Sequence, residues 1–293
     1  MVFYRFQPIK LNRFMALTQF EQIKKLLSEK IPSELICFLP DKWEKIGDVL
    51  VIKLHTNVEQ YRDVIGEVYA KVLNRKSVLC DTGGISGMYR EPNVDVIYGS
   101  DDCETVHKEN GVRFRLDPMR VMFSSGNMDE RRRMANVSNN EEVVVDLFAG
   151  IGYFTLPMAV HSRPKRIFAC EINPVAFDYL CQNIVLNNVT DVVEPLRGDN
   201  RKVAPKNVAD RVLLGYFGNT YSFLPTAVEC LKNHAGIVHY HDTFSDDVVP
   251  DSVLQQVDKI VEKYRRKAEL LKCKHVKSYA PGVSHYVFDI RIG

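Results

Sequence analysis

The sequence predicts an α/β protein. A mostly parallel sheet wound with helices is expected over residues 136–293, preceded by a smaller α+β domain over 1–135. Three observations predict it. From Val143 onward, short β-branched runs alternate with segments of helical apolar spacing, the rhythm of βαβ units. A loop with two glycines, Asp146-Leu-Phe-Ala-Gly-Ile-Gly, separates the first of these strands from the helix after it. The chain has 293 residues, 45% of them apolar and 26% charged, enough to bury a large core in about two domains.

The elements follow in order. Gln19 to Leu27 carries apolar residues at 20, 23, 26 and 27, which is helical spacing. Asp48 to Leu54 is a β-branched run and reads as a strand. Val58 to Leu73, with Tyr61, Ile65, Val68 and Val72 on one side, suits an amphipathic helix. Gly83 to Gly87 marks a loop, and Val94–Tyr98 and Val112–Leu116 read as strands. Ser138 to Glu142 is a polar break between the two halves. Beyond it, strands are expected at Val143, at Arg166–Cys170, at Val192–Leu196, at Asp210–Leu214 and at Gly236–His241. Helices are expected from about Phe154, over Pro174–Asn187, up to Leu231 and over Val253–Leu271. His285 to Ile292 alternates and is expected to close the sheet.

Composition excludes several classes. Gly and Pro together make about a tenth of the chain, which rules out collagen-like and low-complexity proteins. The seven cysteines are scattered, odd in number and without a C-x-x-C pair, which argues against a disulfide framework or a cysteine zinc site and for a reducing, cytoplasmic setting. No metal site is expected. The N-terminal MVFYRFQPIKLNRFM has charges interrupting each apolar stretch, so no signal peptide is expected. Val143 to Val160 is nearly apolar, but Asp146, two glycines and Pro157 argue against a membrane span. Net charge is only +2, and neither half is globally basic, so nucleic-acid binding must rest on local patches.

The strand ends carry the chemistry, because an open α/β sheet binds ligands at the carboxyl ends of its strands. Asp146, Phe148, Gly150 and Gly152 belong to the first such loop, where glycines let backbone approach a ligand. Glu171 ends the next strand and suits a ribose diol. Asp199 and Asn200 follow the third, where a carboxylate can receive an adenine amino group. A dinucleotide fingerprint would need Gly or Ala at 155, which is Thr, and an acid opening the loop disfavours a pyrophosphate. The ligand inferred is cationic: S-adenosylmethionine, bound in a Rossmann-like domain of class I type. A sulfonium makes its carbons electrophilic, so the enzyme mainly positions a nucleophile in line. N-P-P-Y and N-L-P, marks of amine and guanine ring-nitrogen methylation, are absent from Gly215-Tyr-Phe-Gly-Asn-Thr, and Cys230 sits in a helical pattern as a core residue.

Seven pieces carry a resemblance: Thr105-Val-His-Lys-Glu-Asn-Gly, Met122-Phe-Ser-Ser-Gly-Asn, Asp146-Leu-Phe-Ala-Gly-Ile-Gly-Tyr-Phe-Thr-Leu-Pro, Cys170-Glu-Ile-Asn-Pro, Gly198-Asp-Asn-Arg, Leu214-Gly-Tyr-Phe-Gly-Asn-Thr and Val238-His-Tyr-His. In these the chain resembles, over nearly its whole length, the tRNA wybutosine-synthesising aminocarboxypropyltransferases, a sister group of the tRNA guanosine-37 N1-methyltransferases. The resemblance implies transfer of the 3-amino-3-carboxypropyl group from S-adenosylmethionine to 4-demethylwyosine at position 37 of phenylalanine tRNA, leaving methylthioadenosine. It also implies that Ser124, Arg131, Glu171, Asp199 and Asn200 bind the donor, with Arg131 standing where some relatives carry Lys.

Arg131 is then expected to hold the donor carboxylate; a solvated charge run over Arg131–Arg133 is the plain alternative. For proton removal after attack, His241 and Asp242 at the fifth strand end and Asn219 at the fourth are the candidates, with His239, Arg201 and Thr220 nearby. Tyr216 and Phe217 are placed to stack on a splayed base, or else pack in the core. Two patches suit phosphate tracking: Arg113, Arg115, Arg120 and Arg131–Arg133, and Lys259–Lys277 with eight basic residues against two acids. The partner expected is tRNA through its anticodon loop, with no membrane and a monomeric enzyme.

Overall fold

The computed structural model describes residues 17–293; the N-terminal stretch expected to lack a signal peptide lies outside them. α1 (Gln19–Leu27) starts on a capping box, in which Thr18 and Glu21 satisfy each other's backbone donors, and it buries Ile23 and Leu27. β1 (Trp43–Ile46), β2 (Val49–Ile52), α2 (Arg62–Leu73), β3 (Ser77–Ser86) and β4 (Glu91–Tyr98) complete the first unit. Its sheet runs β1-β2-β3-β4, with α2 as the crossover between the parallel β2 and β3. β1 and β3 fall outside the strands that the sequence pattern predicts. The expected Gly83–Gly87 loop lies mostly inside β3, which bulges between Asp81 and Gly84 and carries the hairpin tip well beyond the sheet.

β5 (Thr105–Glu109) and β6 (Val112–Leu116) form a hairpin on an Asn110-Gly111 turn, both residues at positive φ. Val112, Phe114 and Leu116 face inward and join the core under the larger sheet. The free edge of β6 is not left bare. The side chains of Asn183 and Asn187, one turn apart, accept from the Arg115 and Arg113 N–H groups at 2.6 and 2.9 Å and donate back to their carbonyls. Segment 105–134 therefore packs with the second unit, although it precedes the expected division at 135/136. α3 (Met128–Met134) follows, burying Glu130, Arg131 and Met134.

The second unit comprises β7 (Val143–Asp146), α4 (Thr155–His161), β8 (Arg166–Glu171), α5 (Pro174–Leu186), β9 (Val193–Arg197), α6 (Asn200–Val203), β10 (Arg211–Leu214), α7 (Leu224–Cys230), β11 (Gly236–Ser245), α8 (Asp251–Val261), β12 (Ala268–Ala280) and β13 (Val283–Ile292). The sheet order is β12-β13-β11-β10-β7-β8-β9, parallel from β9 to β11, with β13 antiparallel to both its neighbours. The apolar run 143–160 is thus a buried strand, a loop and nearly all of α4. Among the described residues no helix is long and apolar enough to cross a membrane.

One element departs from expectation. The predicted helix over Val253–Leu271 ends at Val261; Arg265 turns left-handed (φ 58°), and 268–280 is an edge strand. Apolar spacing alone fits either period over Ala268–Leu271, and pairing with the long β13 decides for strand. The basic stretch 259–277 is accordingly a helix end, a turn and a sheet edge.

Candidate functional site

A cavity opens at the carboxyl ends of β7, β8, β9 and β10 and is covered from the other side by the β3–β4 hairpin tip and by segment 121–131. Its floor is the loop after β7. Asp146 is fully buried: one carboxylate oxygen accepts from the Thr155 hydroxyl at 2.7 Å, the other from the Phe148 N–H at 3.1 Å. Burial pushes its carboxyl up to about 6 against those bonds. Asp146 shapes the loop but does not border the cavity, because both its oxygens turn inward. Gly150 (φ 57°) does border it. A Cβ there would stand 2.4 Å from the Tyr153 ring, and one on Gly152 (φ 102°) 2.5 Å from Leu156, so Gly152 serves close packing of α4 and not ligand contact.

Glu171 borders the cavity at the end of β8. Its two oxygens accept from the Gly150 and Asn173 N–H groups, each at 2.7 Å, which fixes the carboxylate yet leaves each oxygen a second lone pair. Burial raises its carboxyl pKa, and those backbone donors oppose the shift. After β9, Asp199 caps α6 and pairs with Arg201, whose hydrogen bond holds its carboxyl below the ordinary range. Asn200 donates from its amide to the Leu147 carbonyl at 2.8 Å, and its own Oδ1 is buried without a partner. Phe148 stacks on Tyr216 at 4.8 Å, with Phe223 edge-on at 4.9 Å, making an aromatic wall.

The opposite end is cationic. Arg131 borders the cavity but is already committed. Its guanidinium donates to both Glu109 oxygens (2.8 and 2.5 Å) and to the Ser124 carbonyl (2.8 Å), and both members of the ion pair are buried. Burial would raise the Glu109 carboxyl, but Arg131 and His107 outweigh it and hold it at about 2. Arg131 thus borders the cavity as expected of a donor-binding residue, but its charge is largely neutralised by Glu109, which sequence reasoning did not single out. Arg90, from the hairpin tip, enters the cavity over the Phe217 ring at 5.7 Å, and the Tyr89 carbonyl accepts from the Asn173 amide at 3.2 Å. Asn127 lines the same end with a buried, unpartnered Oδ1. Asn127 and Asn173 lie in the Phe-Ser-Ser-Gly-Asn and Cys-Glu-Ile-Asn-Pro pieces, whereas Tyr89 and Arg90 fall outside every piece quoted from the sequence.

None of the three proton-transfer candidates borders the cavity. His241 is fully buried behind Phe154 (5.0 Å between rings) and against His285, and burial keeps it neutral to well below the usual histidine range. Asp242 accepts from the Gly218 and Thr220 N–H groups at 3.1 and 2.9 Å, holding the loop that carries Tyr216 and Phe217. Asn219 is exposed on that loop in a left-handed conformation (φ 72°). His239 lies deeper still, between Asp289 and Arg211. Cys230 is core, as expected.

The residues present fit S-adenosylmethionine. The Glu171 lone pairs suit a ribose diol. The unpartnered Asn200 oxygen calls for a donor such as an adenine amine. The polar and cationic groups at the other end, Ser124, Asn127 and Arg131, suit the amino-acid arm with its carboxylate. Among the described residues no group of His, Cys, Asp and Glu is clustered as a metal site.

Residues 105–271 match the TRM5/TYW2 methyltransferase domain, and residues 23–102 match the TYW2 N-terminal domain. A Pyrococcus horikoshii protein named tRNA(Phe) (4-demethylwyosine(37)-C(7)) aminocarboxypropyltransferase is 42% identical over 271 residues, covering 92% of this chain and 96% of that protein. The solved structure of P. horikoshii TYW2 in complex with MeSAdo is 40% identical, with a TM-score of 0.84 over 93% of this chain and 98% of that one. The complex structure of aTrm5 and tRNALeu is 27% identical, with a TM-score of 0.80 over 99% of this chain and 84% of that one. A cavity walled by strand ends on one side and by the N-terminal unit on the other, in a chain matched along both units and 42% identical to a named aminocarboxypropyltransferase, leads to one conclusion: this chain belongs to the TRM5/TYW2 methyltransferase family.

Proposed function

We propose that this protein transfers the 3-amino-3-carboxypropyl group of S-adenosylmethionine to C7 of 4-demethylwyosine at position 37 of phenylalanine tRNA. The observation that carries the reading is 42% identity, over nearly all of both chains, to a Pyrococcus enzyme named for that reaction. The two-ended cavity supports it. In the reaction the C7 electrons form a bond to the donor γ-carbon, the Cγ–S bond breaks, its electron pair leaves on sulfur as neutral methylthioadenosine, and the C7 proton passes to solvent.

The chain's residues bind and orient. Glu171 takes the ribose, Asn200 with Asp199 takes the adenine, and Phe148 with Tyr216 lines the nucleoside slot; Ser124 and Arg131 border the amino-acid arm. Asp242 acts at one remove, through the loop that places Tyr216 and Phe217, and Asn219 through the turn of that loop. His241 supports Phe154 from behind. The acceptor base enters beside the Arg90–Phe217 pair, where an aromatic face and a guanidinium suit a purine splayed from an anticodon loop. The enzyme works as a cytoplasmic monomer. Catalysis rests on holding carbon and nucleophile in line.

The test is transfer of label to phenylalanine tRNA from donor labelled separately in the methyl and in the carboxypropyl carbons. Carboxypropyl label in the tRNA, with methylthioadenosine released, is the expected result. Methyl label alone would overturn the reading in favour of guanosine-37 N1-methylation.

A further inference from the structure

We infer that Lys277, from the edge strand β12, is a positioning residue for the donor: it sets the Ser124 hydroxyl as a hydrogen-bond donor toward the amino-acid carboxylate and, with Arg90, supplies positive charge that no carboxylate compensates at that end of the cavity. The inference rests on the proposed donor and adds a residue 146 positions beyond Arg131, outside the seven pieces that carry the resemblance and noted in the sequence only as the end of a basic patch.

The geometry begins with a bulge. β12 pairs with β13 in register Lys274↔Val287 and His275↔Tyr286, then slips, so that Lys277 faces His285. In an unbroken strand residues three apart point to opposite faces. The extra residue, Val276, keeps Lys274 and Lys277 on the same face, the one that packs on α3 and the segment before it. Lys274 there meets Glu130 at 3.0 Å. Lys277 runs past Gly126 and donates to the Ser124 hydroxyl oxygen at 3.1 Å.

That bond has a consequence at the cavity wall. A serine hydroxyl has one proton and two lone pairs. With an ammonium donating to its oxygen, Ser124 directs its own proton away from Lys277, and Ser124 is a wall residue. The charges around it point the same way. Arg131 is neutralised by Glu109 and Lys274 by Glu130, whereas among the described residues no carboxylate lies within 4.0 Å of the Lys277 ammonium. Lys277 is half-buried; burial lowers its pKa, and the nearby Arg131 and Arg90 charges lower it further, while Glu44 opposes the shift. A cation held in this position is relieved by an anionic group arriving at Ser124. Methylthioadenosine, lacking the amino-acid arm, offers none.

Calorimetry on the full chain separates the possibilities. Wild type is expected to bind both S-adenosylmethionine and methylthioadenosine. Lys277→Met is expected to weaken S-adenosylmethionine binding by roughly ten- to a hundredfold, the scale of a lost charged hydrogen bond, with methylthioadenosine affinity unchanged. Lys277→Arg is expected to restore most of the loss. Ser124→Ala is expected to cost a similar factor, and the double variant no more than the larger single loss. Equal losses for both ligands would assign Lys277 a merely structural role and overturn the inference. So would unchanged donor binding with a weaker, less salt-dependent tRNA affinity, which would place Lys277 on a phosphate instead. If wild type binds neither ligand, the donor assignment falls, and the inference with it.

Discussion

The two ends of the cavity are built in different ways. The nucleoside end comes from three consecutive strand-to-helix loops of one sheet: Gly150 after β7, Glu171 after β8 and Asn200 after β9. Its polar groups are fixed by backbone groups of those same loops, as Glu171 is by the Gly150 and Asn173 N–H groups and Asn200 by the Leu147 carbonyl. The amino-acid end draws on Arg90, Ser124, Asn127 and Arg131 before the sheet begins, and on Lys277 near the chain's far end. A nucleotide slot is thus a local product of chain topology, whereas the part that distinguishes one group transfer from another is assembled from distant segments. Specificity at the second end depends on tertiary packing, and changes there should separate binding of the donor from binding of its nucleoside by-product.

That contrast can be broken most severely by Glu109→Ala. It leaves the Arg131 guanidinium, only 2% exposed, without its carboxylate, and should cost roughly 3–5 kcal/mol of stability in chemical denaturation. A loss under about 1 kcal/mol would show that water or another group reaches Arg131. At the other end, Glu171→Gln should weaken S-adenosylmethionine and methylthioadenosine alike, by roughly 1–3 kcal/mol in calorimetry, since both carry the ribose. If only the full donor is affected, the two ends are not independent.

Acid sharpens the comparison between the core behind the site and the site itself. His241 and His285 are held neutral chiefly by burial, His285 down to about 3. Their folded pKa values lie below those of the unfolded chain, so the unfolded state binds protons first, and stability should fall as pH drops from about 6.5 toward 3. Glu109 works over a lower window: its stabilisation is complete above its usual 4.5 and is lost as pH falls toward 2. Denaturant titrations at pH 7, 5 and 4 should show a steady decline, and His285→Phe should flatten the upper part. A flat profile would mean that protonation of buried Asp146, whose raised carboxyl favours the folded state in acid, offsets the histidines.

The smallest effect is expected far from the cavity. Lys263→Glu with Lys267→Glu should leave donor binding unchanged and lower the slope of log tRNA affinity against log salt by about one for each phosphate no longer neutralised. An unchanged slope would mean that the turn after α8 meets only solvent.

Much of the nucleoside end was legible in the residues. Alternating β and α patterns placed the strands, and Gly150, Glu171 and Asn200 fell at their carboxyl ends because chain topology puts loops there. Asp146 was legible as a loop residue but not as an inward one, since the direction of a carboxylate is set by Thr155, which lies nine residues on across the loop. His241 followed the same logic in reverse. The sequence pattern ends the fifth strand at His241, but β11 runs on to Ser245, and Phe154 packs over the imidazole. The start of β12 reads as helix in the sequence because its local pattern suits both periods and its partner, β13, lies beyond a turn. The bulge that aims Lys277 leaves no mark in sequence spacing.

Order along the chain, then, decided the sheet, the glycine loop and the acid that meets a ribose, because each depends on residues within one βαβ unit. Folding in three dimensions decided which charges stay free. Arg131 and Lys277 are both basic residues in basic stretches, but Glu109 reaches the first and no described carboxylate comes within ion-pairing distance of the second. Coulomb pairing in a low-dielectric interior turns on a few ångströms of separation, and those ångströms are set by how distant segments pack.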